Sequence, residues 1–315
     1  MNNSIWILAY FCQHYQGRVE IDKQGQEHLV TLRERMEREY LHLAWSRDGR
    51  QFEALNGNQP TWPDTWMRDP FVNRGADGKF HLVATGPRDD DGVQRSCLYA
   101  VSSDLIHWET RQLPVMKSVA QARNVWAPEW FYDASTGEYL LIWSSSFGDV
   151  GWKESRLWSC RTRDWQTFSE PSVYFEPPYS VIDGTLIEHA GTYYLFHKEE
   201  EFGAQKGERR AIRLATSTSP DGPWQIIDGP HDGAVVPTIT EGPAVLPDPQ
   251  SDGWLLLYDF CATDDYGASK SNDLIHWTEL PSSEVAFPEA ARHGSAFEVS
   301  EEEFAALQKA FGAVA

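Results

Sequence analysis

The chain has 315 residues, enough to bury a large core as one or two domains. It carries 27 Lys plus Arg against 47 Asp plus Glu, a formal net charge of −20 that repels phosphate backbones and anionic lipid, so nucleic acid and membrane surfaces are poor partners. Aromatics make up 13%, with 14 Trp, a load suited to packed sheets and to sugar-binding clefts.

The first apolar run, "IWILAYF", has no basic flank and no small-residue cleavage site, and it is too short to span a bilayer. It reads as a strand, and the chain as cytoplasmic. "TLRERMEREY" reads as a solvated strand or turn of the blade that the N-terminal strands build. Cys12, Cys97, Cys160 and Cys261 lie far apart with no metal or redox spacing, which predicts buried free thiols.

From residue 67 onward one pattern returns four times. "MRDPFVNRGADGKFHLVATG", "VWAPEWFYDASTGEYLLIWSSS", "VIDGTLIEHAGTYYLFHKEE" and "TEGPAVLPDPQSDGWLLLYDF" each place a short apolar strand, a Gly-containing turn and a longer aromatic strand. Each is followed by a third strand and a fourth element near a Trp, at 108, 165, 224 and 277. Asp69, Ala127, Asp183 and Glu241 mark the starts of the units, at intervals of 58, 56 and 58 residues. Such a period predicts the blades of a β-propeller. "IWILAYF", "YLHLAWSRDGRQFEAL" and, from the other end, "RHGSAFEV" supply the strands of a fifth blade, closed by both termini. The expectation is therefore all-β: one five-bladed propeller over residues 1–315. Ser300 and Glu303 form a capping box before a short C-terminal helix, "FAALQKAF".

In a propeller the inner-strand entrances converge on one mouth. Three of the four aligned positions are acids, and each precedes a turn residue: Asp69-Pro70, Asp183-Gly184 and Glu241-Gly242. One such acid is explained as a turn cap; three at equivalent positions are the pattern of tuned acid–base groups. Separated carboxylates suit glycoside cleavage, in which one protonates the leaving oxygen and another activates water.

The ordered set "RDPFV", "WAPEWFYD", "VIDGTLI", "TEGPAV" and "ARHGSAFEV" resembles glycoside hydrolase family 43 across nearly the whole chain. The resemblance implies a five-bladed inverting enzyme acting on α-L-arabinofuranosides or β-D-xylosides. By motif, Asp69 becomes the general base, Asp183 the modulator of the acid's pKa, and Glu241 the general acid. Arg68 is consistent with a base kept ionised. Family modulator motifs commonly continue with Pro where this chain has Gly184, and Asp64 of "WPDTW" is a rival to Asp69. The resemblance also implies a structural calcium or sodium ion near His293, with no cofactor needed for the chemistry.

Trp126 and Glu129 of "WAPE" are expected to line the cleft and contact the sugar, with core packing and a surface turn as their alternatives; Trp62, Trp66 and Trp130 are not sorted by sequence. A small oligosaccharide is the expected substrate. The rivals are another five-bladed sugar-active enzyme or a non-catalytic glycan-binding propeller. Phosphorolysis would require a basic cluster, and none is visible beside the acids in the sequence.

Overall fold

The computed structural model describes residues 5–21, 27–34, 39–147, 154–201, 209–237, 239–261, 263 and 265–312. Side chains of 14–21, 27–34, 201 and 209 are excepted. Strands β1 (Ile5–Cys12), β2 (His14–Ile21), β3 (Glu27–Glu34), β4 (His42–Ser46) and β5 (Glu53–Ala54) precede the first complete blade. That blade is β6 (Arg68–Arg74), β7 (Phe80–Thr85), β8 (Cys97–Ser102) and β9 (Glu109–Leu113). The second is β10 (Trp126–Asp133), β11 (Glu138–Ser145), β12 (Arg156–Thr162) and β13 (Ser172–Phe175). The third is β14 (Val181–His189), β15 (Thr192–Glu201), β16 (Arg209–Ser217) and β17 (Gln225–Ile227). The fourth is β18 (Thr240–Pro247), β19 (Trp254–Phe260), β20 (Tyr266–Ser271) and β21 (Thr278–Glu279). The fifth takes its inner strand, β22 (Ala291–Val299), from the C-terminal end and runs β22-β1-β4-β5. The expected propeller, closed through both ends, is what forms.

These strands are apolar on both faces because each blade is packed between two others. Five apolar clusters fill the spaces between neighbouring blades. The N-terminal run shows the consequence: all eight residues of β1 are buried, alternate ones facing the first and the fourth blade. Helix α1 (Glu301–Phe311) has the predicted capping box and drives Phe304 and Leu307 into the seam between the fifth and first blades. All four cysteines are free and buried. Among the described residues no helix is long and apolar enough to cross a membrane.

One local reading is corrected. Thr31–Glu34 of "TLRERMEREY" belong to the two-stranded β2–β3 hairpin, a sheet of its own and not a blade strand; residues 35–38 lie outside the described residues. The hairpin interrupts the fifth blade between β1 and β4.

The feature that builds the site is a bulge at the entrance of every inner strand. Two residues oppose one on the second strand at Asp69-Pro70, Ala127-Pro128, Asp183-Gly184, Gly242-Pro243 and His293-Gly294. Asp69, Ala127, Asp183 and Gly242 have φ of 52°, 42°, 52° and 61°, the left-handed region that non-glycine residues seldom occupy. Such strain persists only where surrounding structure enforces it, and it clusters at functional sites.

Candidate active site

The bulges sort the residues at the mouth into two rings. Arg68, Trp126, Ile182, Glu241 and Arg292 stand one step before the bulge; Asp69, Ala127, Asp183, Gly242 and His293 occupy it. Glu241 is thus one position out of line with Asp69 and Asp183, contrary to the spacing read from sequence. A side chain at 242 is excluded because a Cβ there would lie 1.9 Å from the His293 ring. Glycine therefore holds the fourth bulge, and the carboxylate comes from the residue before it.

Asp69, Asp183 and Glu241 all line one pocket of about 280 Å³, with Arg68, Trp126 and His293. Trp126 is fixed by donating its indole N–H to Gln94 at 2.8 Å. Asp64 is exposed and outside this pocket. Glu129 is not at the mouth either; it lies farther along the axis. Trp62 stacks on Trp108 and Trp130 packs in the core, whereas Trp66 donates to Glu39 at 2.9 Å.

Three of the bulges are latched to the blade before them from one position on a second strand. Thr85 Oγ1 accepts the Ala127 N–H at 2.8 Å, Ser144 Oγ accepts that of Asp183 at 3.1 Å, and Asp259 Oδ2 accepts that of His293 at 2.9 Å. The equivalent residue facing the fourth blade is Lys198, opposite Ile182 in the ladder. An ammonium cannot accept. The Gly242 N–H turns to Asp183 Oδ2 instead, at 3.2 Å, and Lys198 Nζ reaches the Glu241 carboxylate at 2.6 Å and Glu200 at 2.7 Å. A buried lysine at a position that elsewhere carries an acceptor is aimed by the fold at Glu241. Sequence reading missed it; the signal was the replacement of Thr, Ser and Asp by Lys at one repeat position.

The three carboxylates differ in electrostatics. Burial pushes Asp69 up, but hydrogen bonding and charge from His293, with Arg68 and Thr85, outweigh it and hold the group below its ordinary value. Burial raises Asp183 to about 7. Burial also opposes ionisation of Glu241, yet Lys198 and Arg292 hold it well below the usual range. Arg292 Nη2 contacts both Glu241 and, at 2.8 Å, Asp259.

The donor set does not fit the expected ion. His293 Nδ1 meets Asp259 at 2.8 Å and Nε2 meets Asp69 at 3.1 Å, so both ring nitrogens point protons at carboxylates and neither offers a lone pair. Burial lowers this imidazole, but Asp259 and Asp69 outweigh it and raise it well above the ordinary value. Glu241, Asp259 and His293 have ligand atoms within 4.8 Å of one another, but the Arg292 guanidinium already bridges the two acids. A basic cluster, in contrast, does exist beside the acids: Arg68, Lys198 and Arg210 line the pocket. They come from separate strands, which hid them in the sequence.

A family model described as a probable glycosyl hydrolase domain, related to family 43, matches residues 28–305. The chain belongs to this family of glycoside hydrolases. An α-L-arabinofuranosidase of Bifidobacterium longum subsp. longum is 25% identical over 241 residues, 61% of this chain and 22% of that protein. The chain thus matches less than a quarter of that relative's length. A thermostable family-43 glycoside hydrolase of known structure superposes with a TM-score of 0.60 at 13% identity, over 90% of this chain and 96% of that one. A family-43 enzyme of Xanthomonas citri, solved with xylose, gives 0.54 at 14% identity over 70% and 75%. At such identities these two superpositions speak for the shared fold. The glycosidase and propeller expectations both hold.

Proposed function

We propose that this glycoside hydrolase inverts configuration and releases single α-L-arabinofuranosyl or β-D-xylosyl units from small oligosaccharides. The observation that carries the reading is three carboxylates, from three blades, facing one pocket in different protonation states. Asp69, ionised against His293, is suited to take a proton from the attacking water. Asp183 keeps a proton near neutral pH and accepts the N–H of Gly242, the residue that follows Glu241. Glu241 is ionised while Lys198 and Arg292 hold it, so Asp183 and Glu241 share one proton. It passes to Glu241 as Lys198 turns to its second partner, Glu200. Glu241 then protonates the leaving oxygen as the glycosidic C–O bond breaks, and water, losing its proton to Asp69, forms the new C–O bond from the opposite face. The pentose preference is supported by the arabinofuranosidase relative and the exo preference by the pocket's modest volume.

The test is hydrolysis of a panel of aryl glycosides, with and without inorganic phosphate, by the wild type beside Glu241→Gln and Asp69→Asn. Phosphate-independent turnover of either pentoside, lost by about 10²–10⁴-fold in the variants, is expected. Turnover confined to other sugars would overturn the substrate assignment. A rate dependent on phosphate would replace hydrolysis by phosphorolysis, the reading that Arg68, Lys198 and Arg210 favour. Saturable glycan binding with no turnover would overturn catalysis altogether.

A further inference from the structure

Glu129 stands two residues past the second-blade bulge, beneath the floor of the pocket. It borders a chamber of about 10 Å³, the room of one water, that it shares with Asp69, Asp183 and His293. It also borders a cavity of about 230 Å³ on the far side of the axis. Its carboxyl therefore separates the pocket floor from the opposite end of the propeller.

Its hydrogen-bond partner determines its protonation. Thr185 Oγ1 lies 2.8 Å from Glu129 Oε1 and 2.6 Å from the Pro243 carbonyl oxygen. A threonine hydroxyl has one proton, and a carbonyl oxygen can only accept. Thr185 donates to Pro243, so the contact with Glu129 is a hydrogen bond only if Glu129 donates. We infer that Glu129 is a neutral carboxylic acid, held protonated to donate to Thr185 and close the propeller axis under the catalytic carboxylates. The chain of bonds runs from Glu129 to Thr185 to Pro243, joining the second, third and fourth blades at the level just below Asp183 and Glu241.

Burial points the same way and raises Glu129 well above the ordinary range; the Thr185 contact and His293 oppose it, the Asp183 charge adds to it, and burial outweighs them. The charged groups that face it across the chamber are Asp183 from the third blade, His293 from the fifth and Asp69 from the first, the fourth contributing only the Gly242-Pro243 backbone; across the larger cavity the first blade adds Arg74, and Tyr132 is the other titratable group there. A carboxylate here would put a further negative charge against Asp183. A neutral acid supplies a donor and leaves Asp183 free to titrate on its own. Glu129 is thus a positioning residue acting through Thr185 and Asp183, and it makes no contact with the sugar pocket described above.

The test needs no substrate, so its outcome is independent of the hydrolytic reading. Difference infrared spectra of the intact protein at alkaline pH, above the Asp183 transition, are expected to keep a carboxylic-acid C=O band. That band should survive in Asp183→Asn and in Glu200→Gln, the other raised acid nearby, and vanish in Glu129→Gln. Where activity is measurable, the limb of the pH profile set by Asp183 should hold its position in Glu129→Gln, because no charge is removed. Absence of the band from the wild type at alkaline pH would overturn the inference. So would its loss in Asp183→Asn or Glu200→Gln, or a shift of the Asp183 limb to lower pH in Glu129→Gln, the result expected if an anion had been removed.

Discussion

Two places in each blade repeat, and they behave oppositely. At the corner between third and fourth strands the chemistry is copied. Ser102, Thr162, Ser271 and Ser46 each accept two backbone N–H bonds from the residues two and three ahead. Asp104, Asp164, Asp273 and Asp48 then accept two more. At the inner-strand bulge the register is copied and the chemistry is not: Asp69, Ala127, Asp183, Gly242 and His293 share the two-against-one pairing, the first four also a left-handed φ, and hardly any function. In these four blades the corner must satisfy the same backbone N–H groups, so its acceptors stay Ser or Thr followed by Asp; the third blade keeps only the first of these, Ser217 accepting from Ser219. At three bulges the backbone N–H is satisfied by a latch from the preceding blade, so the bulge side chain need not cap its own turn and is free to vary.

The sharpest way to break this contrast is at the first bulge. Asp69→Asn keeps the shape and an acceptor for Thr85 but removes the carboxylate proposed as the base. Activity is expected to fall by about 10²–10⁴-fold with little change in thermal midpoint, read by kinetics and calorimetry on the same sample. A large loss of stability with normal specific activity would mean that the bulge acids serve the fold.

Next in size is the exceptional latch. Lys198 is buried between Glu200 and Glu241. Lys198→Met leaves buried carboxylates short of a partner and is expected to cost about 3–5 kcal/mol in denaturant unfolding. Adding Glu200→Gln should return part of that cost by removing one orphaned charge, a coupling that a double-mutant cycle reads directly. Independent, additive losses would show that the lysine is not shared.

The difference between the two repeats also explains what sequence could tell. The strand period, the closure by "RHGSAFEV" and the capping box were legible because they depend on local pattern and apolar spacing. The three acids were legible because they sit beside turn residues. The one-residue offset of Glu241 was not, because it depends on the His293 ring filling the space over Gly242, a contact across two blades. Trp165 was misaligned for a similar reason: it sits at the corner position of Leu105 and Leu274, with φ of 59°, and Phe168 takes the place of Trp108 and Trp277. Arg68, Lys198 and Arg292 are far apart in sequence and converge only when the ring closes.

A third, smaller effect separates the bulge acids from each other by pH. Burial raises Asp183 to about 7, so between about pH 4 and 7 the folded protein holds a proton that the unfolded chain has released. Its contribution is fully present below the unfolded value and is lost as pH rises through about 7, at no more than about 1.4 kcal/mol per unit. The stability of the wild type relative to Asp183→Asn should therefore decline from about pH 4 to 7 and then level off. A difference that grows with pH would place Asp183 among the depressed acids, with Asp69.

The smallest effect is expected where the chemistry is most strictly copied. Asp104 Oδ1 accepts the N–H groups of Ile106 and His107 at 2.9 and 2.8 Å, and its other oxygen pairs with the His107 ring. Burial pushes this carboxyl up, but the His107 side chain and the two backbone donors outweigh it and bring it to about 2. Asp104→Ala therefore strands two backbone donors, but at a partly exposed corner where water can replace the acceptor. The expected cost is about 1 kcal/mol, with full activity toward any substrate the wild type turns over. That cost should be present at neutral pH and shrink as pH falls through about 2, where the wild-type carboxyl is itself protonated. The corner is far from the pocket and touches none of its acids, so a variant that lost activity without losing stability would show the two repeats to be coupled.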